Sequence, residues 1–141
     1  MKSLLVPVDG SPPSLRALDY AIAEAKALGA GAVIHLVNVQ PPVPSAVSDF
    51  VSHKGIDEFH REEAEKEIAE ARQKLVASCV TYRTSFLVGS PGEAIAHYAK
   101  TTTVDEVIMG RRGLNRLTGL LLGAVSTRVL ALVDQPVTLI K

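Results

Sequence analysis

Two segments of this 141-residue chain carry residue types and spacings that suit recognition of a phosphorylated ligand. In one, Gly110-Arg111-Arg112-Gly113 is followed, nine residues later, by Gly123-Ala124-Val125-Ser126. Glycine at 110 and 113 can adopt positive φ and lets a ligand approach the backbone closely. Residues 123–126 open a helix, where several N–H groups lack intrahelical partners. Together with the helix dipole, those donors form a natural site for phosphate oxygens. Ser126 offers a hydroxyl donor, and Arg111 or Arg112 offers charge. The same glycines also describe a surface loop followed by a helix start, because glycine spacing alone is weakly specific.

The other segment is Pro7-Val8-Asp9-Gly10-Ser11. Asp9 can accept hydrogen bonds from ribose hydroxyls while Pro7 and Val8 flank a base. It is equally well read as a turn residue or helix cap. Both segments end apolar strands, and in an open α/β sheet ligands bind outside the carboxyl ends of the strands, where strand order reverses.

The elements that must position these segments are legible from period and punctuation. Residues 2–8 form an apolar strand with Pro7 near its end. Ser11 is a candidate N-cap before Pro12-Pro13, and Leu15, Leu18, Ile22, Ala25 and Leu28 follow at helical spacing up to Gly29. Residues 31–39 (GAVIHLVNV) read as a second strand, and residues 40–54 as an extended, Pro-rich loop. An amphipathic helix is expected over 56–76, with Phe59, Ala64, Ile68, Ala71 and Leu75 inward and the charged side chains of Glu62, Glu63 and residues 65–70 on a solvated face. Residues 80–88 read as a third strand near an edge, and Ser90 as the cap of a helix through Ala94, Ile95, Tyr98 and Ala99. A fourth strand (104–109), a helix (123–133) and a fifth strand (135–140) complete a βαβαβαβαβ order. That order is the sequence form of a doubly wound parallel sheet with helices on both faces, in one domain over 1–141.

Composition narrows the function classes. Hydrophobic residues make up 47% and aromatics 4%, without Trp, so the core must be aliphatic. Fifteen acidic residues balance fifteen basic ones, which argues against nucleic acid as the partner. The lone Cys79 excludes an intramolecular disulfide and reads as a small buried or half-buried side chain. No apolar run of about 18 residues suggests a membrane span, the strand-like start is unlike a signal peptide, and a cytoplasmic location is expected. His35 reads as a packed histidine of the second strand. His53, His60 and His97 share no metal-ligand spacing, so no metal site is expected.

Over nearly its whole length the chain resembles universal stress proteins. The matching runs are LLVPVDGS (4–11), AVIHLVNV (32–39), GSPGEAI (89–95), DEVIMGRRG (105–113), GAVSTRV (123–129) and QPVTLIK (135–141). Gly110, Gly113 and Gly123 match the Gly-x2-Gly-x9-Gly-(Ser/Thr) pattern of that family's nucleotide-binding branch. The resemblance implies an adenine-nucleotide α-hydrolase-like fold with strand order 3-2-1-4-5. It also implies ATP, with or without Mg2+, as ligand. The phosphates would lie against Gly110, Gly113 and Gly123 to Ser126, with Arg112 supplying charge and Ala124 and Val125 lying in the same turn. Asp9 would face the ribose, the backbone near Val8 and Asn38 would meet the adenine beside Pro7, and Met109 would line the floor. Ala124 departs from the pattern, which has Ser or Thr there. The lost hydroxyl is worth about 0.5–3 kcal/mol, or at most about two decades of affinity.

These observations support an ATP-binding regulatory module in the stress response. Nucleotide occupancy would order the 110–126 loop, with little or no hydrolysis, since no Walker lysine, general base or carboxylate set is evident. The alternative is a nucleotide-free interaction module with a vestigial site, favoured by Ala124 and by the apolar stretch 43–51. An enzyme on the same architecture would rest on fold analogy alone. The C-terminal strand, Val137-Thr138-Leu139-Ile140, reads as an edge that invites pairing with a second copy, and the resemblance implies a homodimer formed there. A further, unidentified protein partner is expected, and no membrane partner.

Overall fold

The computed structural model describes residues 1–111 and 122–141. Strand β1 (Lys2–Pro7) leads into helix α1 (Pro12–Leu28), a 3-10 turn (Gly29–Gly31) and β2 (Ala32–Gln40). A short α2 (Ser45–Ser48) and a long α3 (His53–Ser78) precede β3 (Tyr82–Val88). The remaining elements are α4 (Pro91–Thr101), β4 (Glu106–Gly110), α5 (Ala124–Leu132) and β5 (Val137–Ile140).

All neighbouring strands run parallel, in the order β3-β2-β1-β4-β5. The chain builds outward from β1 to β2 and β3, then returns to β1's other side with β4. The reversal therefore falls between β1 and β4. Side-chain alternation along each strand feeds two separate cores. Leu4, Val6, Val8, Ile34, Leu36 and Ile108 pack against Leu18, Ile22, Ile68 and Leu75 of α1 and α3. On the opposite face, Leu5, Val37, Val107 and Met109 pack against Ile95 and Ala99 of α4 and Val129 of α5. Strands buried on both faces explain the nearly unbroken apolar runs of β1, β2 and β4.

Helix α1 obeys its sequence signals. Ser11 accepts the Ser14 N–H on its side chain, prolines fill the first two positions, and Gly29 ends the helix at φ 63°. Helix α3 differs from expectation. It starts at His53, where Ser52 Oγ accepts the Gly55 N–H at 3.1 Å, and α2 interrupts the stretch read as a loop. Its buried stripe is His60, Ala64, Ile68, Ala71 and Leu75. Phe59 is 52% exposed, because residue 60 rather than 59 sits one turn before Ala64.

Two smaller readings are also corrected. Cys79 is exposed and caps α3 in the left-handed region at φ 59°. Ser90 precedes α4, but its carbonyl, not its side chain, accepts the Ala94 N–H. Among the described residues, no helix is long and apolar enough to cross a membrane.

Candidate functional site

The β1–β4 register pairs Leu4 with Glu106 and Leu5 with Val107. Continued to the carboxyl ends, it brings Met109 and Gly110 level with Pro7 and Val8. Both backbone groups of Val8 have protein partners: its N–H donates to the Val37 carbonyl at 2.8 Å, and its carbonyl accepts from Asn38 Nδ2 at 2.8 Å. Asp9 is half-buried, and its Oδ1 accepts the Ser11 N–H at 2.9 Å. The turn role considered for Asp9 is thus realised by one carboxylate oxygen, while Oδ2 has no partner among the described residues. Gly10 turns the chain at φ 83°, and a Cβ there would lie 3.2 Å from the Glu67 carbonyl oxygen.

The β4–α5 connection is anchored at both ends. Gly123 N–H donates to the Arg111 carbonyl at 2.9 Å, and the Ser126 hydroxyl donates to the carbonyls of Gly110 and Arg111 at 3.0 and 3.1 Å. Ser126 is buried, and its hydroxyl works as a strut between α5 and the end of β4. Gly110 does not take the positive φ expected of it; it is a buried residue of β4. A Cβ there would fall 2.8 Å from the carbonyl carbon of Pro13 and 2.9 Å from its Cβ. Glycine at 110 therefore makes room for the first turn of α1. Met109 is buried in the α4–α5 core. Arg112 and Gly113, with Leu120 and Leu121, lie outside the described residues.

Helix α5 begins with no side-chain cap, because its N-cap is Gly123 at φ −73° and ψ 164°. The first ladder bond is Thr127 N–H to the Gly123 carbonyl at 3.1 Å. The N–H groups of Ala124, Val125 and Ser126 precede that ladder and carry the positive end of the helix dipole. Ala124 is exposed and Val125 half-buried. Nearby, Arg111 Nε is buried without a hydrogen-bond partner among the described residues. A buried donor left in that state costs free energy until it meets an acceptor.

Sequence reasoning placed Asn38 here through its backbone, but its side chain is the more informative group. It is fully buried, with Nδ2 donating to the Val8 carbonyl at 2.8 Å and to Glu67 Oε2 at 2.7 Å. Its Oδ1 accepts from Gln40 Nε2 at 2.7 Å. Glu67 is half-buried and so leaves the solvated face assigned to residues 65–70. The available signal was its position three residues after Ala64, on the rim of the buried stripe.

Other titratable groups lie apart. His35 is buried mid-strand, with Nδ1 2.9 Å from the Tyr98 hydroxyl. Desolvation, followed by the nearby Arg83 charge, lowers its pKa and favours the neutral imidazole. Among the described residues, no three His, Cys, Asp or Glu side chains cluster in a way that could hold a metal ion.

Fold and crevice together define a class: the sheet is of the adenine-nucleotide α-hydrolase-like type, similar to two solved structures, MJ0577 and a Lactobacillus plantarum universal stress protein. Within that class, the chain belongs to the Universal stress protein family, whose profile matches residues 1–141. A universal stress protein of Thermus aquaticus is 35% identical over 144 residues, covering 99% of this chain and 98% of its own length. The structure of MJ0577 from Methanocaldococcus jannaschii superposes with a TM-score of 0.85 at 28% identity, covering 99% of this chain and 95% of the other. A universal stress protein in complex with cAMP has a TM-score of 0.75 at 25% identity, covering 99% and 97%.

Proposed function

We propose that this chain is an ATP-binding regulatory module of the stress response, with the ligand in the crevice between the carboxyl ends of β1 and β4. The observation that carries this reading is the start of α5, uncapped by any side chain among the described residues, where successive N–H groups precede the helix ladder near an Arg111 Nε that has no partner among those residues. A triphosphate supplies the acceptors that these donors lack. The cAMP complex of a relative supports an adenine nucleotide as the class of ligand.

In this reading Ala124, Val125 and Ser126 offer backbone donors to phosphate, while the Ser126 hydroxyl stays engaged with Gly110 and Arg111. Gly113 belongs to the phosphate side, as the family pattern implies, and Arg112 is assigned there for its charge. Asp9 Oδ2 accepts a ribose hydroxyl, and the base lies beside Pro7, Val8 and Asn38 above Met109. If magnesium accompanied the triphosphate, Asp9 would be the carboxylate offered to it, in place of the ribose hydroxyl. In this reading Asp9 is occupied through Oδ1 by the Ser11 N–H and through Oδ2 by the ribose, away from the phosphates, so hydrolysis is slow or nil. Phosphate contacts near both anchored ends of the β4–α5 connection couple occupancy to the surface that a protein partner meets.

We place the protein in the cytoplasm as a homodimer joined along β5, whose half-buried residues lie at an edge of the sheet. Titration calorimetry with Mg-ATP tests the ligand. Micromolar binding is the expected result, and no binding at millimolar ATP would contradict it. The second result would favour the nucleotide-free interaction module, to which the exposed Val47, Phe50 and Val51 also point.

A further inference from the structure

We infer that Glu67 is a positioning residue for the ribose-binding carboxylate of Asp9, an inference that rests on the nucleotide reading above. Glu67 lies on α3, far from Asp9 in sequence, yet it reaches both sides of Asp9, Val8 through Asn38 and Gly10 through its own backbone. On the leading side, Glu67 Oε2 accepts from Asn38 Nδ2 at 2.7 Å, and the same nitrogen donates to the Val8 carbonyl at 2.8 Å. On the trailing side, the backbone of Glu67 packs against Gly10, leaving 3.2 Å between its carbonyl oxygen and a Cβ built there. Asp9 itself is tied through Oδ1 to the Ser11 N–H at 2.9 Å. The turn is thus held before, at and after Asp9, and Oδ2, without a partner among the described residues, has its direction set.

The chemistry of the bracket fixes its polarity. A carboxylate and a carbonyl are both pure acceptors, so the Asn38 amide must turn its nitrogen toward Glu67 and Val8. Its oxygen is then turned to Gln40 Nε2, at 2.7 Å. Asn38 is fully buried and Gln40 nearly so, which keeps water from substituting for a lost partner. Removing the Glu67 carboxylate leaves one Asn38 donor unsatisfied and frees Val8 and Asp9 to shift together. A loosened Asp9 loses its preference for a ligand with ribose hydroxyls, because a site 1 Å out of place no longer makes a short hydrogen bond.

The test is the ratio of affinities for ATP and 2′,3′-dideoxy-ATP, measured by calorimetry on the wild type, Glu67→Ala and Glu67→Gln. The wild type should favour ATP by about tenfold, the worth of a hydroxyl bonded to a carboxylate. Glu67→Ala should bring that ratio to about threefold or less, and Glu67→Gln, which keeps an acceptor for Asn38, should restore it. If Glu67→Ala weakens both nucleotides equally, or neither, Glu67 does not position Asp9 and the inference fails while nucleotide binding stands. If the wild type binds neither nucleotide, the nucleotide reading itself fails, and this inference with it.

Discussion

Two helices of this protein begin at the carboxyl edge of the sheet from adjacent strands, and they treat their first-turn amides in opposite ways. At α1, Pro12 and Pro13 bring no N–H at all, Ser11 Oγ takes the Ser14 N–H, and the Ser11 carbonyl takes that of Leu15 at 3.1 Å. Even the Ser11 N–H is used, by Asp9 Oδ1. At α5 the cap is glycine, no side chain among the described residues reaches back, and the ladder starts only at Thr127. A helix whose donors are all consumed is a structural support, whereas one whose donors are free is a site for an anion. Under the proposed nucleotide reading, the contrast would put the phosphates at α5 and the sugar at the β1–α1 turn.

The two helix starts also touch, since the first turn of α1 lies against Gly110 at the end of β4. The largest effect should come from breaking that contact. Gly110→Val forces branched carbon into the backbone of Pro13 and should cost about 3 kcal/mol in urea unfolding. A variant as stable as the wild type would mean that α1 can retreat without consequence.

Next in size, Ser11→Ala deletes the α1 cap and should cost about 1 kcal/mol while leaving ATP affinity unchanged. A matching loss of affinity would show that α1 is more than a support. The third change is a gain. Ala124→Ser restores the hydroxyl of the family pattern at the first position of α5 and should tighten ATP binding by up to about tenfold in calorimetry. No gain would indicate that the backbone donors alone satisfy the phosphates.

Much of this architecture was legible because buried parallel strands and α1's Ser-Pro-Pro start and glycine stop are local signals. What escaped depended on partners distant in the chain. The packing role of Gly110 escaped because its neighbour Pro13 comes from the far end of the sequence. Glu67 was read as solvated because charge runs on both sides of it, and its partner Asn38 lies on another element. Only the first position of the α3 stripe was misplaced, because Phe59 is the more apolar of two adjacent candidates although His60 holds the inward register. Cys79 escaped because a non-glycine residue in left-handed geometry leaves no compositional mark.

The central claim, that free amides at the start of α5 hold the phosphates, is tested most directly by Ala124→Pro. Proline is tolerated at the first position of a helix, and Gly123, at φ −73° and ψ 164°, already has the extended backbone that a following proline requires. The substitution should therefore remove one donor and leave the fold intact. Calorimetry on the wild type and this variant should show ATP affinity falling by about 10- to 100-fold, with adenosine affinity and unfolding midpoint unchanged. ATP binding equal to that of the wild type in a folded Ala124→Pro protein would contradict the account.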